Sequence, residues 1–205
     1  MEELKELLVD ELQDLLHAET QIVQALPAMI EAAHNPKLRE ILEKHLVQTE
    51  AQVERLNMAF EALGEKPQAK PCKGMAGIIA EGEETIEDLK EKDERAADLG
   101  LIAAAQKVEH YEISAYGTAR CLARQIGQRE VSKLLSQTLG EEESSDFLLT
   151  EVSKPLLQLA SNCAEGDTPW GEPGDTRPEA QRVHGKSQAA AAGVASFKSK
   201  KSGKE

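Results

Sequence analysis

Gln106-Lys107-Val108-Glu109-His110-Tyr111-Glu112-Ile113-Ser114-Ala115-Tyr116-Gly117 is the stretch that decides how this chain folds. It lies inside a run whose apolar positions read Leu101, Ala105, Val108, Ala115, Ala119, Leu122 and Ile126, with Glu112 in the middle. Steps of three and four residues trace one face of an α-helix, so a carboxylate stands on a face that otherwise looks inward. A lone buried carboxylate is costly and needs a cation, a proton or a metal as partner. Glu109, one turn earlier on the same side, doubles the demand.

Working outward, the same periodicity predicts four long helices. The first spans about Glu2 to Ala33 on the stripe Leu4, Leu8, Leu12, Leu15, Glu19, Ile22, Leu26, Met29, with Pro27 expected to kink it. The second runs from Pro36 to Leu63, with Asn35 as N-cap and Gly64 as a left-handed C-cap. Its stripe reads Leu38, Ile41/Leu42, Leu46, Thr49/Glu50, Val53, Leu56, Phe60 and Leu63. A linker with two prolines and a short helix from about Met75 to Leu89 come next. The helix of the opening stretch covers about Ala96 to Ile126. The last long helix covers about Arg129 to Ser153, on Val131, Leu134/Leu135, Thr138, Glu142, Ser145, Leu149 and Val152. Lys154-Pro155 is expected to break or kink it.

Two tight turns, near residue 34 and near residue 127, make two antiparallel hairpins. The fold class this implies is all-α: an antiparallel four-helix bundle with a long crossover containing a short helix. Glu19 and Glu50 are each about 15 residues from the first turn, and Glu112 and Glu142 about 15 from the second. At 1.5 Å per residue all four stand roughly 23 Å from a turn, at mid-height of the bundle. Converging carboxylates repel and cannot all stay ionised in a dry core. Two divalent metal ions would neutralise four of them, and carboxylate oxygens suit iron or manganese. The alternative is that they are hydrogen-bonded or protonated.

The candidate ligands are therefore Glu19, Glu50, Glu112 and Glu142, with Glu109 and Asp146 (or Glu54) available to complete the coordination. Tyr116, one turn from Glu112, is placed to hydrogen-bond a ligating carboxylate or simply to pack. Di-iron bundles usually add Glu-x-x-His on two helices. Here Val53 and Ser145 stand three residues after Glu50 and Glu142. His17 and His110 lie about 200° round the helix from a stripe glutamate. His45 is over a turn from Glu50, His34 falls in a turn and His184 in the tail. All five are expected at the surface or as supporting groups rather than ligands.

Composition narrows the field. The formal charge of −13 argues against a nucleic-acid surface. No stretch approaches the roughly 20 apolar residues of a membrane span, and Met1-Glu-Glu-Leu-Lys leads directly into an amphipathic pattern. Cys72, Cys121 and Cys163 lack CxxC spacing and are expected as reduced thiols, which fits the cytoplasm.

Val108-Glu-His-Tyr-Glu-Ile-Ser-Ala-Tyr-Gly117, with Asp10-Glu-Leu-Gln-Asp-Leu-Leu-His-Ala-Glu19, Thr49-Glu-Ala-Gln-Val-Glu-Arg-Leu56 and Gly140-Glu-Glu-Glu143, resembles the YciE/YciF ferritin-like stress proteins. The resemblance covers about residues 2 to 160 and includes Leu63-Gly-Glu-Lys-Pro67 followed by Cys72. It implies a rubrerythrin- and bacterioferritin-like bundle, often a homodimer, in bacterial cytoplasm and linked to stress. It also implies ferroxidase or other oxidoreductase activity, with O2 or peroxide as the electron acceptor. Gly140 and Ser144-Ser145 depart from the usual last helix. A non-catalytic stress protein with a structural or vestigial metal site is the alternative.

After Ser161 the composition shifts to Pro, Gly, Ser, Ala and Lys. The domains expected are thus a bundle over 1–160 and a disordered tail over 161–205. The tail holds seven Lys/Arg and six Asp/Glu, leaving 17 and 31 of the chain's 24 and 37 for the bundle, a net of −14. Such a tail buries too little apolar surface to offset about 1–2 kcal/mol of ordering per residue. Removing residues 165–205 is predicted to move the melting temperature, followed by circular dichroism, by no more than a few degrees.

Overall fold

The structure is a computed structural model that describes residues 1–161, so the disordered tail expected from the sequence lies outside the described residues. Five helices make up the described chain: α1 (Glu2–Ala32), α2 (Pro36–Leu63), α3 (Lys73–Leu89), α4 (Glu94–Gln125) and α5 (Arg129–Ser161). Helices α1, α2, α5 and α4 pack in that cyclic order, and α3 lies outside against α1 and α4. Contacts fix the directions. His45 meets Ser145 while Arg55 meets Thr138, and Glu19 meets Tyr116 while the Asn35 N–H, just past the end of α1, meets Asp98. In each pair the numbers fall on one helix as they rise on the other, so α2–α5 and α1–α4 are antiparallel neighbours. Since both hairpins are antiparallel too, α2 and α4 point the same way. The crossover therefore has to climb the length of the bundle, and α3 is its rising limb. This is a ferritin-like antiparallel four-helix bundle.

Local chemistry sets the ends. Asn35 accepts the N–H groups of Lys37 and Leu38 with Oδ1, at 2.9 and 3.2 Å, ahead of Pro36 at the first helical position. Gly64 (φ +72°) and Gly127 (φ +80°) take the left-handed conformation that closes α2 and follows α4. Cys72 caps α3, its Sγ accepting the Met75 N–H at 3.3 Å. Gly100 on α4 lets Leu89 come so close that a Cβ there would lie 2.1 Å from its Cδ1, which seats the end of α3.

One expectation needs correcting. Helix α1 runs through Pro27 to Ala32, as its stripe implies, but α5 continues through Pro155 to Ser161 instead of stopping near Ser153. Pro155 withholds only its own N–H, and Leu156, one residue further, is 5% exposed on the inner face. Burial on that face outweighs one lost backbone bond.

The inner stripes are stricter than the apolar residues alone suggest. In α2 the buried seam is Leu38, Leu42, His45, Thr49, Gln52, Leu56, Ala59 and Leu63, and in α5 Val131, Leu135, Thr138, Glu142, Ser145, Leu149, Val152 and Leu156, with Phe60 and Leu139 buried beside it. Both alternate steps of four and three, the seam of a knobs-into-holes bundle. The core is thereby split. One apolar cluster contains Leu8, Leu12, Leu56, Phe60, Tyr116 and Leu135; the other contains Ile22, Leu26, Leu42, Met75, Leu101 and Leu149. A polar layer at mid-height separates them.

Asp98 on α4 holds the α1–α2 turn. It is 2% exposed and accepts the backbone N–H groups of His34 and Asn35 at 2.8 and 2.9 Å. Asp98→Ala would strand both donors and is predicted to cost about 2–4 kcal/mol in urea denaturation. His34→Ala, which keeps the backbone donor, is expected to stay within about 0.5 kcal/mol.

Candidate metal centre

The dividing layer contains Glu19 from α1, Glu109 and Glu112 from α4, and Glu142 from α5, each no more than 2% exposed. Each occupies an inner-stripe position, so helix register alone drives the four acids together. Helix α2 contributes His45, Thr49 and Gln52, likewise buried. Ligand atoms of His45, Glu109, Glu112 and Glu142 all lie within 4.8 Å of one another.

The surroundings fix these side chains but do not satisfy them. Tyr116 donates its hydroxyl to Glu19 Oε1, and Gln52 donates its amide to Glu142 Oε1. Tyr116 is thus the carboxylate partner that its spacing from Glu112 hinted at, though it holds Glu19. Arg55 grips Glu141 with two parallel bonds of 2.9 and 3.0 Å beside the cluster. Burial resists ionising Glu141, but Arg55, Gln137 and Gln52 together bring its pKa below the ordinary value. Glu19 Oε2, Glu109 Oε2, Glu142 Oε2 and both Glu112 oxygens still have no donor among the described residues.

Electrostatics follow from that crowding. Burial first, then the neighbouring charge of Glu142, pushes Glu19 up to about 8. Burial pushes Glu142 up to about 7, with Glu141 adding to the rise and Glu109, Gln52 and Arg55 opposing it. Glu109 and Glu112 are raised well above the usual carboxylate value by burial and then by their acidic neighbours. Without a cation, protons must do the work: Glu112 is placed to share one with Glu19, and Glu109 with Glu142.

His45 corrects the expectation that the histidines stay outside. It is 3% exposed, its Nδ1 lies 3.3 Å from Ser145 Oγ, and its Nε2 lies 3.4 Å from Glu109 Oε1. That last approach is not an ion pair at neutral pH. Burial holds the imidazole down at about 4 despite the opposing charge of Glu141, and burial with the neighbouring acids raises Glu109 well above the ordinary carboxylate value. The ring is therefore neutral, with Nε2 unpartnered. Ser145 stands where a Glu-x-x-His motif would put its histidine, and His45 reaches that place from the neighbouring helix.

The other candidates sit elsewhere. Glu50 and Glu54 are exposed on the outer side of α2, because the stripe passes through Thr49 and Gln52 and so turns position 50 outward. Asp146 is partly buried beside the cluster. It accepts from Gln106 at 2.8 Å and lies 3.3 Å from the exposed His110 Nε2. Its charge is a lesser contributor to the raised pKa of Glu109. His17 faces the crossover and accepts the Cys72 N–H at 3.1 Å. The four-three alternation could have revealed His45 and Gln52 in the sequence.

The unpartnered oxygens and the neutral imidazole fit a divalent cation, which is the donor set that borderline metals accept. Fold and site together define a ferritin-like bundle with a buried carboxylate–histidine centre. Comparison with known proteins agrees: residues 3–161 match the domain of unknown function DUF892, and the chain belongs to that family. Protein YciF of Escherichia coli (strain K12) is 40% identical over 154 residues, covering 75% of this chain and 92% of its own. The crystal structure of that E. coli stress protein superimposes with a TM-score of 0.73 at 38% identity, covering 77% and 99% of the two chains. YcfI of Rhodopseudomonas palustris, for which a structural role is suggested, matches at TM-score 0.69 and 39% identity over 72% and 92%. Among the described residues no helix is long and apolar enough to cross a membrane.

The raised carboxyl pKa values set a pH dependence for the metal-free protein. Unfolded glutamates ionise near 4.5, whereas Glu19 and Glu142 in the fold ionise only at about 8 and 7. The fold is then unpenalised below the unfolded value and loses stability as pH rises through the folded values. His45, with its lowered pKa, acts oppositely but only below its ordinary 6.5. In the presence of a chelator the melting temperature is predicted to be higher at pH 6 than at pH 8.5.

Proposed function

We propose that the protein is a carboxylate-rich metal protein of the stress-linked DUF892 family, with iron as the metal and ferroxidase-type oxidation as its activity. The observation that carries this reading is the set of buried oxygens on Glu19, Glu109, Glu112 and Glu142 that find no donor outside the acids themselves, beside an unpartnered His45 Nε2. His45, Glu109, Glu112 and Glu142 would hold one cation. Two divalent ions would balance all four carboxylates, with Glu19 serving the second. Bound iron would supply one-electron chemistry toward O2 or peroxide. Manganese shares the same preference for these donors.

The chain's own residues have definable parts. Ser145 fixes the imidazole so that Nε2 is free for the metal. Tyr116 and Gln52 hold Glu19 and Glu142 in place, and the Arg55–Glu141 pair closes the α2–α5 side against water. The protons that the carboxyls share in the metal-free state leave as the cation enters.

A second reading has its own support. Thr49 and Gln52 on α2, and Ser145 on α5, stand where di-iron bundles carry Glu-x-x-His, and a structural role is suggested for the R. palustris relative. On that reading the metal, if bound, stabilises the bundle and does no chemistry. Metal analysis of anaerobically purified protein, followed by an Fe(II) oxidation assay, separates the two.

Glu112→Gln and His45→Ala are predicted to abolish stoichiometric metal binding, measured by titration and metal analysis. Ser145→Ala is predicted to weaken it about 10–100-fold. His110→Ala, exposed and off the axis, should leave binding unchanged. In metal-free protein Glu112→Gln should raise the melting temperature or leave it unchanged, because it removes one of the mutually repelling acids. Unaltered two-metal binding in Glu112→Gln would place the site elsewhere.

A further inference from the structure

A cavity of ≈ 100 Å3 runs between α1, α3 and α4 and ends on the metal-centre side. Its walls include Ile22 and Met29 of α1, Ile79 and Ile86 of α3, and Ala105 and Val108 of α4. The exposed side chains of Gln24 and Glu83 mark the outer end, while Leu42, His45 and Glu109, all buried, mark the inner end. The space exists because side chains are small where α3 crosses α4. A Cβ added at Gly82 would be 3.8 Å from Ala104 Cβ, in ordinary contact with room beyond.

We propose that this cavity binds a short, unbranched aliphatic chain with one neutral oxygen head group, the head lying against His45 and Glu109. Binding as such goes beyond the metal reading. The further step, that this chain is the substrate class presented to the centre, rests on that reading.

Three features select the ligand. Away from the inner end the walls are aliphatic, with no Phe, Tyr or Trp among the lining residues, so hydrocarbon is favoured over a polar solute. An apolar cavity of roughly 150 Å3 accepts benzene, so ≈ 100 Å3 suits a slimmer chain of about four to six heavy atoms. The inner end is polar: His45 (3% exposed) and Glu109 (2% exposed) line it, and His45 Nε2 and Glu109 Oε2 lack partners. In the metal-free protein an oxygen head can accept from one and donate to the other. An anionic head would meet buried acids, which opposes its entry. Water can occupy the inner end alone, because the apolar remainder offers none of the two to four partners it needs.

The probes are the n-alkanols from propanol to heptanol, titrated into the full chain with isoleucine methyl resonances as the readout. Saturable shifts are expected at Ile22, Ile79 and Ile86 and not at Ile113 or Ile126. Affinity should rise roughly fourfold per added CH2 and fall once the chain outgrows the cavity. Gly82→Leu, which fills the space, should abolish these shifts while melting normally and still binding metal. Ala25→Leu provides a second filling variant if Gly82→Leu folds poorly. Non-saturating shifts, shifts of equal size in a folded filling variant, or tighter binding of n-butylamine than of n-butanol would overturn the proposal. Pentanol binding by protein that takes up no metal would support the cavity assignment and sink the metal reading, so the two failures are distinguishable.

Discussion

Four glutamates on the inner seam of a helical bundle are the constraint on which the rest of this structure depends. Each ionised carboxylate in a dry core costs several kcal/mol unless it is paired, and the folded domain has only about 5–15 kcal/mol of net stability to offset such costs. The apolar layers on either side of the acids must therefore be well packed. They are: Leu8, Leu12, Leu15, Leu38, Leu42, Leu56 and Leu149 are at most 2% exposed. The polar layer is held in register by its neighbours, because Glu19 and Glu142 cannot leave the interior without withdrawing Ile22, Leu26, Leu135 and Leu149 as well.

That coupling explains what the sequence disclosed. The stripe of α1 and the stripe of α5 each contain one glutamate among apolar residues, so Glu19 and Glu142 were legible with Glu112. The second helix was not, because three of its seam positions are polar. Leu46 and Val53 are apolar and lie one step from His45 and Gln52, so following hydrophobicity rotates the inferred face and brings Glu50 inward. Continuity of the four-three alternation from Leu42 to Leu56 passes through His45, Thr49 and Gln52. Packing follows that seam whatever the residues are, because the neighbouring turns leave no choice. Pro155 misled for a similar reason: a single lost backbone bond is weaker than the buried Leu156 side chain beyond it.

Supports outside the seam were invisible to periodicity. Asp98 binds a turn 63 and 64 residues away in sequence. The crossover is tied down by Tyr111, which donates to Asp14 at 2.6 Å and lies 2.9 Å from Cys72 Sγ, and by Lys70, whose backbone N–H reaches the Gln13 carbonyl at 3.0 Å. Tyr111 therefore belongs to the side of α4 that faces α1 and the crossover, about 100° round the helix from the inward Glu112. One helical stretch thus positions both the centre and the segment that covers its flank. Reading it as a single stripe captured the first role and missed the second.

The centre is also lopsided, and this follows from the residues of α2. Helices α1, α4 and α5 bring acids, whereas α2 brings a neutral imidazole, a hydroxyl and an amide. Its Gln52 and Arg55 are donors directed at Glu142 and Glu141, so α2 supplies hydrogen-bonding protons where the opposite helices supply negative charge. A symmetric arrangement with a further glutamate at 49 would raise the repulsion within a layer that already pushes carboxyl pKa values to about 7 and 8. Replacing that acid with Thr49, which satisfies its own hydroxyl on the His45 carbonyl at 2.9 Å, lowers the charge a cation must balance. The unpaired demand then concentrates on Glu109, Glu112 and His45, at the flank covered by α3. That is the flank where the aliphatic cavity meets the cluster.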